Sequence, residues 1–291
     1  MRAAGGAGGL RGRPPSRAGR GGIVPEDTLT PAALQRLLRT AIFGHRVFYY
    51  PVVGSTNDRA LELAAAGEPE GSVVLAERQT RGRGRRARSW SSPARLGIYA
   101  SLILRPALPA AHAPLLTFVA AVSVAEALRR ACSLRARIKW PNDVLVRRRK
   151  IAGVLGEMRG TDPDRRDLVV GIGVNVNHGP GDFPAGLRGR ATSVRVETGR
   201  PTDRAGILAP LLEGFERRYA RLLRDGAGPL LGELESLSVV APGRRVVVEG
   251  PAGRIDGKWI GVDHDGALLL RGAGGATLRA PFGELVLAEW S

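Results

Sequence analysis

The chain is poor in the residues that mark several protein classes. Cys132 is its only cysteine among 291 residues, which excludes a disulfide framework and a thiolate metal cluster. A reducing compartment, the cytoplasm, is expected. Long apolar runs are also missing. The longest uncharged stretch, Pro106 to Ala125, is interrupted by Pro106, Pro109, His112 and Pro114. About a dozen helix-compatible residues remain there, against the ~20 that a membrane span requires, so no membrane partner is expected. Acidic residues are scarce, 27 against 44 Lys and Arg, for a net charge of +17. Lysine is nearly absent as well: Lys139, Lys150 and Lys258 are the only three, which makes arginine the default cation. With abundant Ala and Gly this reads as the bias of a GC-rich genome, so the charge by itself is weak ground for a nucleic-acid partner.

What remains is ordinary globular material, 43% hydrophobic and 24% charged. The length suggests one large domain and a small one. Residues 1–22 hold eight glycines and five arginines with no acid and no hydrophobic run, so residues 1–24 are expected to be a disordered tail. From Thr30 the pattern changes. Pro31, Leu34, Leu37, Leu38 and Ala41 predict a short helix to about Ala41. Val47 to Tyr50 reads as a strand, and Ser55-Thr56-Asn57 as the start of a helix running to Ala66. Strands are expected at 72–78 and 97–104, separated by an Arg/Gly/Ser-rich stretch at 79–96 of the kind that is usually functional. A helix over Leu115 to Ala131 follows, then four short strands within 136–176 spaced as antiparallel neighbours, then helices near 203–223 and 228–236. After Val239, short strands punctuated by glycine and by the Asp265-Gly266 turn predict a five-stranded barrel. The expected class is α+β, with a mixed, largely antiparallel sheet and flanking helices over 25–238 and the barrel over 239–291.

Gly82-Arg83-Gly84-Arg85-Arg86-Ala87 formally matches a dinucleotide-binding fingerprint. Ser89, Ser91, Ser92 and Pro93 follow where that fingerprint needs a helix, and no acid occurs from 78 to 125 to bind a ribose, so that reading fails. The run is compatible with a solvated basic loop, a short RNA-binding segment with Trp90 as its only aromatic, or an anion cradle. Lys139-Trp140-Pro141-Asn142-Asp143 sets a proline and two carbonyl side chains between apolar strands. Lys150 follows Arg147-Arg148-Arg149, and a lysine in so Arg-biased a stretch suggests a need for a compact ammonium.

Taken together, these segments resemble the biotin protein ligases, also called biotin acetyl-CoA carboxylase synthetases. The resemblance spans about residues 48–290. It rests on Ser55-Thr56-Asn57, Gln79-Thr80, G-R-G-R-R-A-R-S-W at 82–90, L-R-P at 104–106, K-W-P-N-D at 139–143, K-I-A-G-V-L at 150–155, G-I-G-V-N-V-N at 171–177 and D-G-A-L-L-L at 265–270. It implies the fold shared by class II aminoacyl-tRNA synthetases and biotin synthetases, with an SH3-like barrel at the C-terminus. It implies an ATP-dependent ligase that forms biotinyl-5'-AMP and passes biotin to one lysine of a biotin carboxyl carrier protein domain, as a monomer or homodimer. Lys150, Arg83 and Arg85 are then the catalytic cations. Ser55, Thr56, Asn57, Gln79, Arg83, Gly84, Arg85, Trp90, Lys150 and Gly153 would form the biotin site, and Arg85, Arg86, Arg88, Asn142, Asp143, Lys150 and Asn175 the ATP site. Mg²⁺ is expected with ATP, with no protein ligand for it assigned. Arg81 and Ala87 stand where the family usually has a small residue and a glycine, so the loop should be stiffer. The runner-up is a lipoate protein ligase, which would not be expected to carry the G-R-G-R-R and K-W-P-N-D pair in this arrangement.

Some biotin ligases double as repressors through an N-terminal helix-turn-helix of about sixty residues, and only residues 1–29 precede the first expected helix here. A monofunctional ligase without sequence-specific nucleic-acid binding is therefore expected. Titration of random and promoter duplexes at ~150 mM salt should give equal, weak, salt-sensitive affinity. Tight binding to one duplex, strengthened by biotinyl-adenylate, would restore the repressor reading.

Overall fold

The structure is a computed structural model that describes residues 29–159, 167–250 and 253–286. The expected tail, 1–24, lies outside the described residues. Seven strands form one sheet: β1 (Val47–Val53), β2 (Val73–Gln79), β3 (Gly97–Leu104), β4 (Arg137–Lys139), β5 (Asp143–Val146), β6 (Arg149–Arg159) and β7 (Asp167–Asn175). Their order is β1-β2-β3-β7-β6-β5-β4. β1 and β2 run parallel, joined through helix α2 (Thr56–Ala65), and every other pair is antiparallel. The mixed sheet read from the sequence is therefore present, with 143–146, 149–159 and 167–175 as successive antiparallel neighbours.

Alternation along β2 shows how the layers form. Val73 and Leu75 enter the main core, whereas Val74 packs on the opposite face against Ala60, Leu61 and Leu63 of α2. The main core is closed by α3 (Ala113–Cys132), α5 (Ala205–Asp225) and α6 (Gly228–Leu237). β3, an inner strand between β2 and β7, is buried over its whole length.

Two helices differ from expectation. Helix α1 covers only Pro31–Gln35, because the N–H groups of Ala41, Ile42 and Phe43 donate to the Glu216 carboxylate on α5 at 2.7, 2.8 and 2.9 Å rather than to a helical turn. Helix α3 runs from Ala113 to Cys132, two residues earlier and one later than expected, because Pro114 falls in its first turn, where no N–H bond is lost. It is long and apolar enough to cross a membrane by length and composition. Its apolar residues are nonetheless spent on the protein's own core, with Leu116, Phe118, Val119 and Val122 essentially inaccessible. A short helix, α4 (Val194–Thr198), capped by Ser193, was not expected from the sequence.

The five C-terminal strands, β8 (Arg245–Gly250), β9 (Gly253–Val262), β10 (Leu268–Arg271), β11 (Thr277–Ala280) and β12 (Glu284–Val286), form an antiparallel sheet in the order β11-β10-β9-β8-β12. All five expected strands exist. Among the described residues the edges β11 and β12 do not pair, so the sheet is open where a closed barrel was expected. It is fixed to the larger unit by Trp140, whose indole N–H donates to the Gly266 carbonyl at 3.1 Å.

Buried inside the larger unit, Arg204 at the start of α5 grips Glu77 of β2 at 2.8 and 3.0 Å and the Gly97 carbonyl at 3.1 Å. Removing the guanidinium leaves a largely buried carboxylate uncompensated. Arg204→Leu should therefore lose about 3–5 kcal/mol of stability, read from the denaturant midpoint, and Arg204→Leu/Glu77→Leu should recover part of that loss.

Candidate active site

A cavity of about 1170 Å³ opens between the sheet, the 80–92 loop and the C-terminal strands. Every residue singled out from the sequence lines it: Ser55, Thr56, Asn57, Gln79, Arg83, Gly84, Arg85, Arg86, Arg88, Trp90, Asn142, Asp143, Lys150, Gly153 and Asn175. Positions 120 residues apart in the chain thus meet, because the ends of β2 and β7 and the starts of β3 and β6 share one edge of the sheet.

The inner end is a neutral polar pocket. Gln79, closing β2, accepts from the Thr56 N–H at 2.8 Å and the Thr56 hydroxyl at 3.0 Å, and donates to the Ser92 hydroxyl at 2.9 Å. Ser55 holds the N-cap position of α2, yet its side chain makes no capping bond. Asn57 is committed to the protein: its amide donates to Leu155 O at 3.2 Å and Glu157 at 2.7 Å and accepts from Ser101 at 2.6 Å. Asn142 donates to Val154 O at 2.8 Å, and buried Asn175 to Thr192 O at 3.1 Å. These three amides shape the walls by tying strands together.

The loop's arginines are each held by a particular partner. Arg83 bridges Asp58 of α2 at 2.5 Å and Glu157 of β6 at 2.7 Å. Arg85 donates to Gly283 O at 3.1 Å and Asn142 Oδ1 at 3.4 Å, and burial pulls its guanidinium below the usual arginine range. Arg88 and Arg86 meet Glu284 of β12 at 2.6 and 3.7 Å, and Lys139 approaches it to 3.8 Å. Burial pushes the Glu284 carboxyl up, but Arg88, Lys139 and Arg86 outweigh it and hold the group below the usual carboxylate range. Arg86 and Ala87 both sit at positive φ, 56° and 55°. Ala87 therefore occupies left-handed backbone that a glycine would adopt without the usual cost of about 1–2 kcal/mol.

At the centre, Lys150 of β6 places its ammonium 2.6 Å from Asp143 Oδ1 and 5.3 Å from the Trp90 ring. A β-bulge between Val144 and Leu145 shifts the β5–β6 register at this point. The two glycines of Gly171-Ile172-Gly173 admit large neighbours: a Cβ at 173 would lie 2.6 Å from the Trp90 ring, and one at 171 would collide with the Asn57 amide. At Gly153 a Cβ would stand 3.1 Å from Lys150 Cε and 3.2 Å from the Trp90 ring. The Trp90 indole nitrogen is buried with no hydrogen-bond partner among the described residues.

Several residues of the site were not anticipated. Glu284, which lines the cavity, and Asp58 and Glu157, which hold Arg83, supply the countercharges, and nothing in their spacing marks them. His178, stacked on Phe183 at 5.2 Å with an interplanar angle of 14°, forms the far wall. Burial lowers its imidazole to about 4, so it is neutral at physiological pH. His178 closes the G-I-G-V-N-V-N segment, which could have drawn attention to it. Among the described residues no group of three His, Cys, Asp or Glu side chains could hold a metal ion.

A neutral polar pocket thus runs into a cation-lined cleft on a mixed sheet, the arrangement of a protein with room for a small ligand beside an anionic one. The comparisons agree. Residues 49–177 match the model of the biotin/lipoate A/B protein ligase family. The bifunctional ligase/repressor BirA of Bacillus subtilis is 40% identical over 250 residues, covering 85% of this chain and 76% of that protein. The biotin–[acetyl-CoA-carboxylase] ligase of Paracoccus denitrificans is also 40% identical, covering 76% of this chain and 92% of its own. Among solved structures, the Aquifex aeolicus biotin protein ligase in complex with biotin and ATP superposes with a TM-score of 0.72 at 31% identity, covering 83% of this chain and 98% of that one. The chain belongs to the biotin/lipoate A/B protein ligase family, and its fold is that of the biotin protein ligases.

If Trp90 depends on the space at Gly173, then Gly173→Ala must push the indole out. Acrylamide quenching of tryptophan fluorescence should increase while far-ultraviolet circular dichroism stays unchanged. An unaltered quenching constant would show that the ring and the glycine are not coupled.

Proposed function

We propose that the protein is an ATP-dependent biotin–[biotin carboxyl-carrier protein] ligase acting in the cytoplasm. The observation that carries this reading is Lys150, held by Asp143 and Trp90 at the junction of the neutral pocket and the arginine-lined cleft. The named relatives and the Aquifex neighbour support it independently.

Biotin's ureido ring suits the Ser55, Thr56 and Gln79 groups, and its apolar chain suits the walls. Its carboxylate must approach the α-phosphate of ATP, and two anions repel. Lys150 lies where one ammonium can bind both and stabilise the charge of an in-line displacement. A carboxylate oxygen bonds to the α-phosphorus, the α–β bridging bond breaks, and pyrophosphate leaves. Arg85, Arg86 and Arg88 would receive the phosphates, exchanging Glu284 and carbonyl partners for charge-assisted bonds worth about 1.5–3 kcal/mol each. The lone Trp90 indole N–H would find its acceptor in the ligand. In the second step an ε-amine of the carrier attacks the acyl carbon, an amide forms, AMP leaves, and the amine's proton passes to solvent.

Mg²⁺ would arrive with the nucleotide, neutralising phosphate charge. Asp143 and Glu284, the carboxylates nearest Lys150 and the arginines, fit an ion that usually takes one or two carboxylates and otherwise phosphate and water. The C-terminal strands, read as an SH3-like barrel over 239–291, would serve nucleotide affinity, since Gly283, Glu249 and Glu284 already hold Arg85, Arg86 and Arg88.

Lys150→Ala should lower biotin-dependent ATP–pyrophosphate exchange by about 10²–10³-fold with the fold intact. Lys150→Arg should rescue poorly, because a planar guanidinium differs in shape and reach. Lipoate should not support exchange. Full exchange by Lys150→Ala, or equal use of lipoate, would overturn the assignment.

A further inference from the structure

The hairpin that joins β5 to β6 turns at Arg147 and Arg148, both in left-handed backbone with φ of 47° and 68°. Two-residue hairpins that need positive φ at both central positions usually take Asn-Gly or a glycine pair. Two arginines there are strained, because Cβ crowds the following carbonyl in left-handed backbone. Strain of this kind persists where surrounding structure imposes it, and it concentrates at functional sites. The imposing structure is visible here: the Lys150 N–H donates to Arg190 O at 2.9 Å and the Lys150 carbonyl accepts from Thr192 N–H at 2.8 Å, pinning the start of β6 one residue beyond the turn.

The turn lies on the lip of the cleft. Arg147, Arg148 and Arg190 line its mouth and are exposed, with 78% of the Arg147 side chain accessible. The neighbouring segment 183–200 carries Arg188, Arg190, Arg195 and Arg200 against one acid, Glu197. That acid is spent inside the protein: its side chain is 1% exposed, and it meets Arg149 at 2.8 Å, Arg147 at 3.7 Å and the Thr192 hydroxyl at 2.6 Å. At the turn and in this segment arginine therefore outnumbers acid, and the segment's one acid faces inward. On the opposite lip, Arg86 and Arg88 are already turned onto Glu284 and the Glu249 carbonyl.

The second half-reaction demands that something touch this lip. A lysine reaches into the cleft on a flexible four-carbon stem, so the backbone that carries it must come down to the rim. We propose that the Arg147–Arg148 hairpin tip and Arg190 dock the carrier protein, and that the carrier surface they receive is acidic, flanking the target lysine. The inference rests on the biotin ligase reading. Complementary charge at a rim orients the partner and raises its association rate more than it tightens the final complex. A strained turn at the mouth holds both arginines at the rim, where they would serve the macromolecule and leave the nucleotide to the loop.

The test uses the full-length protein, Arg147→Glu/Arg148→Glu, and the biotin carboxyl carrier domain of an acetyl-CoA carboxylase. Biotin-dependent ATP–pyrophosphate exchange should stay within about 2-fold of the parent. Transfer should lose about 10-fold or more in kcat/KM for the carrier, mostly through KM, and should lose most of the parent's salt dependence. A carrier whose acids beside the target lysine are changed to lysine should restore transfer by the variant. Arg147→Asn/Arg148→Gly, which relaxes the turn, should show a smaller loss of the same kind and separates charge from misfolding. Unchanged transfer overturns the inference, as does a loss confined to exchange, which would give these arginines to the nucleotide. Competition between random duplex DNA and the carrier in the parent but not in the variant would overturn it too, assigning the face to nucleic acid. Failure of the parent to exchange pyrophosphate with biotin would instead sink the ligase reading itself.

Discussion

Crowding of like charge is the constraint on which this structure depends. Arg83, Arg85, Arg86, Arg88, Lys139 and Lys150 surround one cleft. Two unit charges ~4 Å apart repel by about 4 kcal/mol at the effective dielectric of a protein surface, so such a set needs countercharge before any anion arrives. The protein provides it from four separate elements: Asp58 on α2, Asp143 on β5, Glu157 on β6 and Glu284 on β12. These carboxylates make the empty site stable. They also aim the cations, and in the ligase reading they yield the phosphate-side arginines and Lys150 to substrate.

The sheet makes that arrangement possible. Its central strands carry glycines where Trp90 and Asn57 come close, so a strand that would otherwise present a ridge of side chains presents a trough. The walls of the trough are tied by Asn57 and Asn142, whose amides bond to the backbone of β6, and by Asn175, whose amide bonds to the backbone of Thr192 ahead of α4. Neutral pocket and charged cleft are two ends of one trough, and Lys150 sits at their boundary. An acid that is apolar along most of its length and a nucleotide that is anionic along most of its length fit such a gradient end to end.

The C-terminal strands belong to the site as much as to the scaffold. Through Gly283, Glu249 and Glu284 they hold three arginines of a loop that lies nearly two hundred residues earlier in the chain. Loop position and the docking of this small sheet are therefore coupled. The Trp140 bond to Gly266 extends that coupling to the hairpin that carries Asp143 and leads to Lys150.

Sequence alone determined most of the alternation of strands and helices, the mixed sheet and the cations, amides and hydroxyls of the candidate site, though not its countercharges or His178. Those features are local: hydrophobic period, caps, turn residues and short runs such as K-W-P-N-D are set by near neighbours in the chain. It carried α1 too far because the amides that would have extended that helix bond to Glu216 on α5, and it began α3 two residues late because Pro114 suits a first helical turn. Only the tertiary structure decided which carboxylates neutralise which cations, that Gly173 exists to admit Trp90, and that a strained pair of arginines stands on the cleft's lip. Those facts are pairings between residues far apart in the chain, and their energies depend on distance and burial, which no spacing along a sequence encodes.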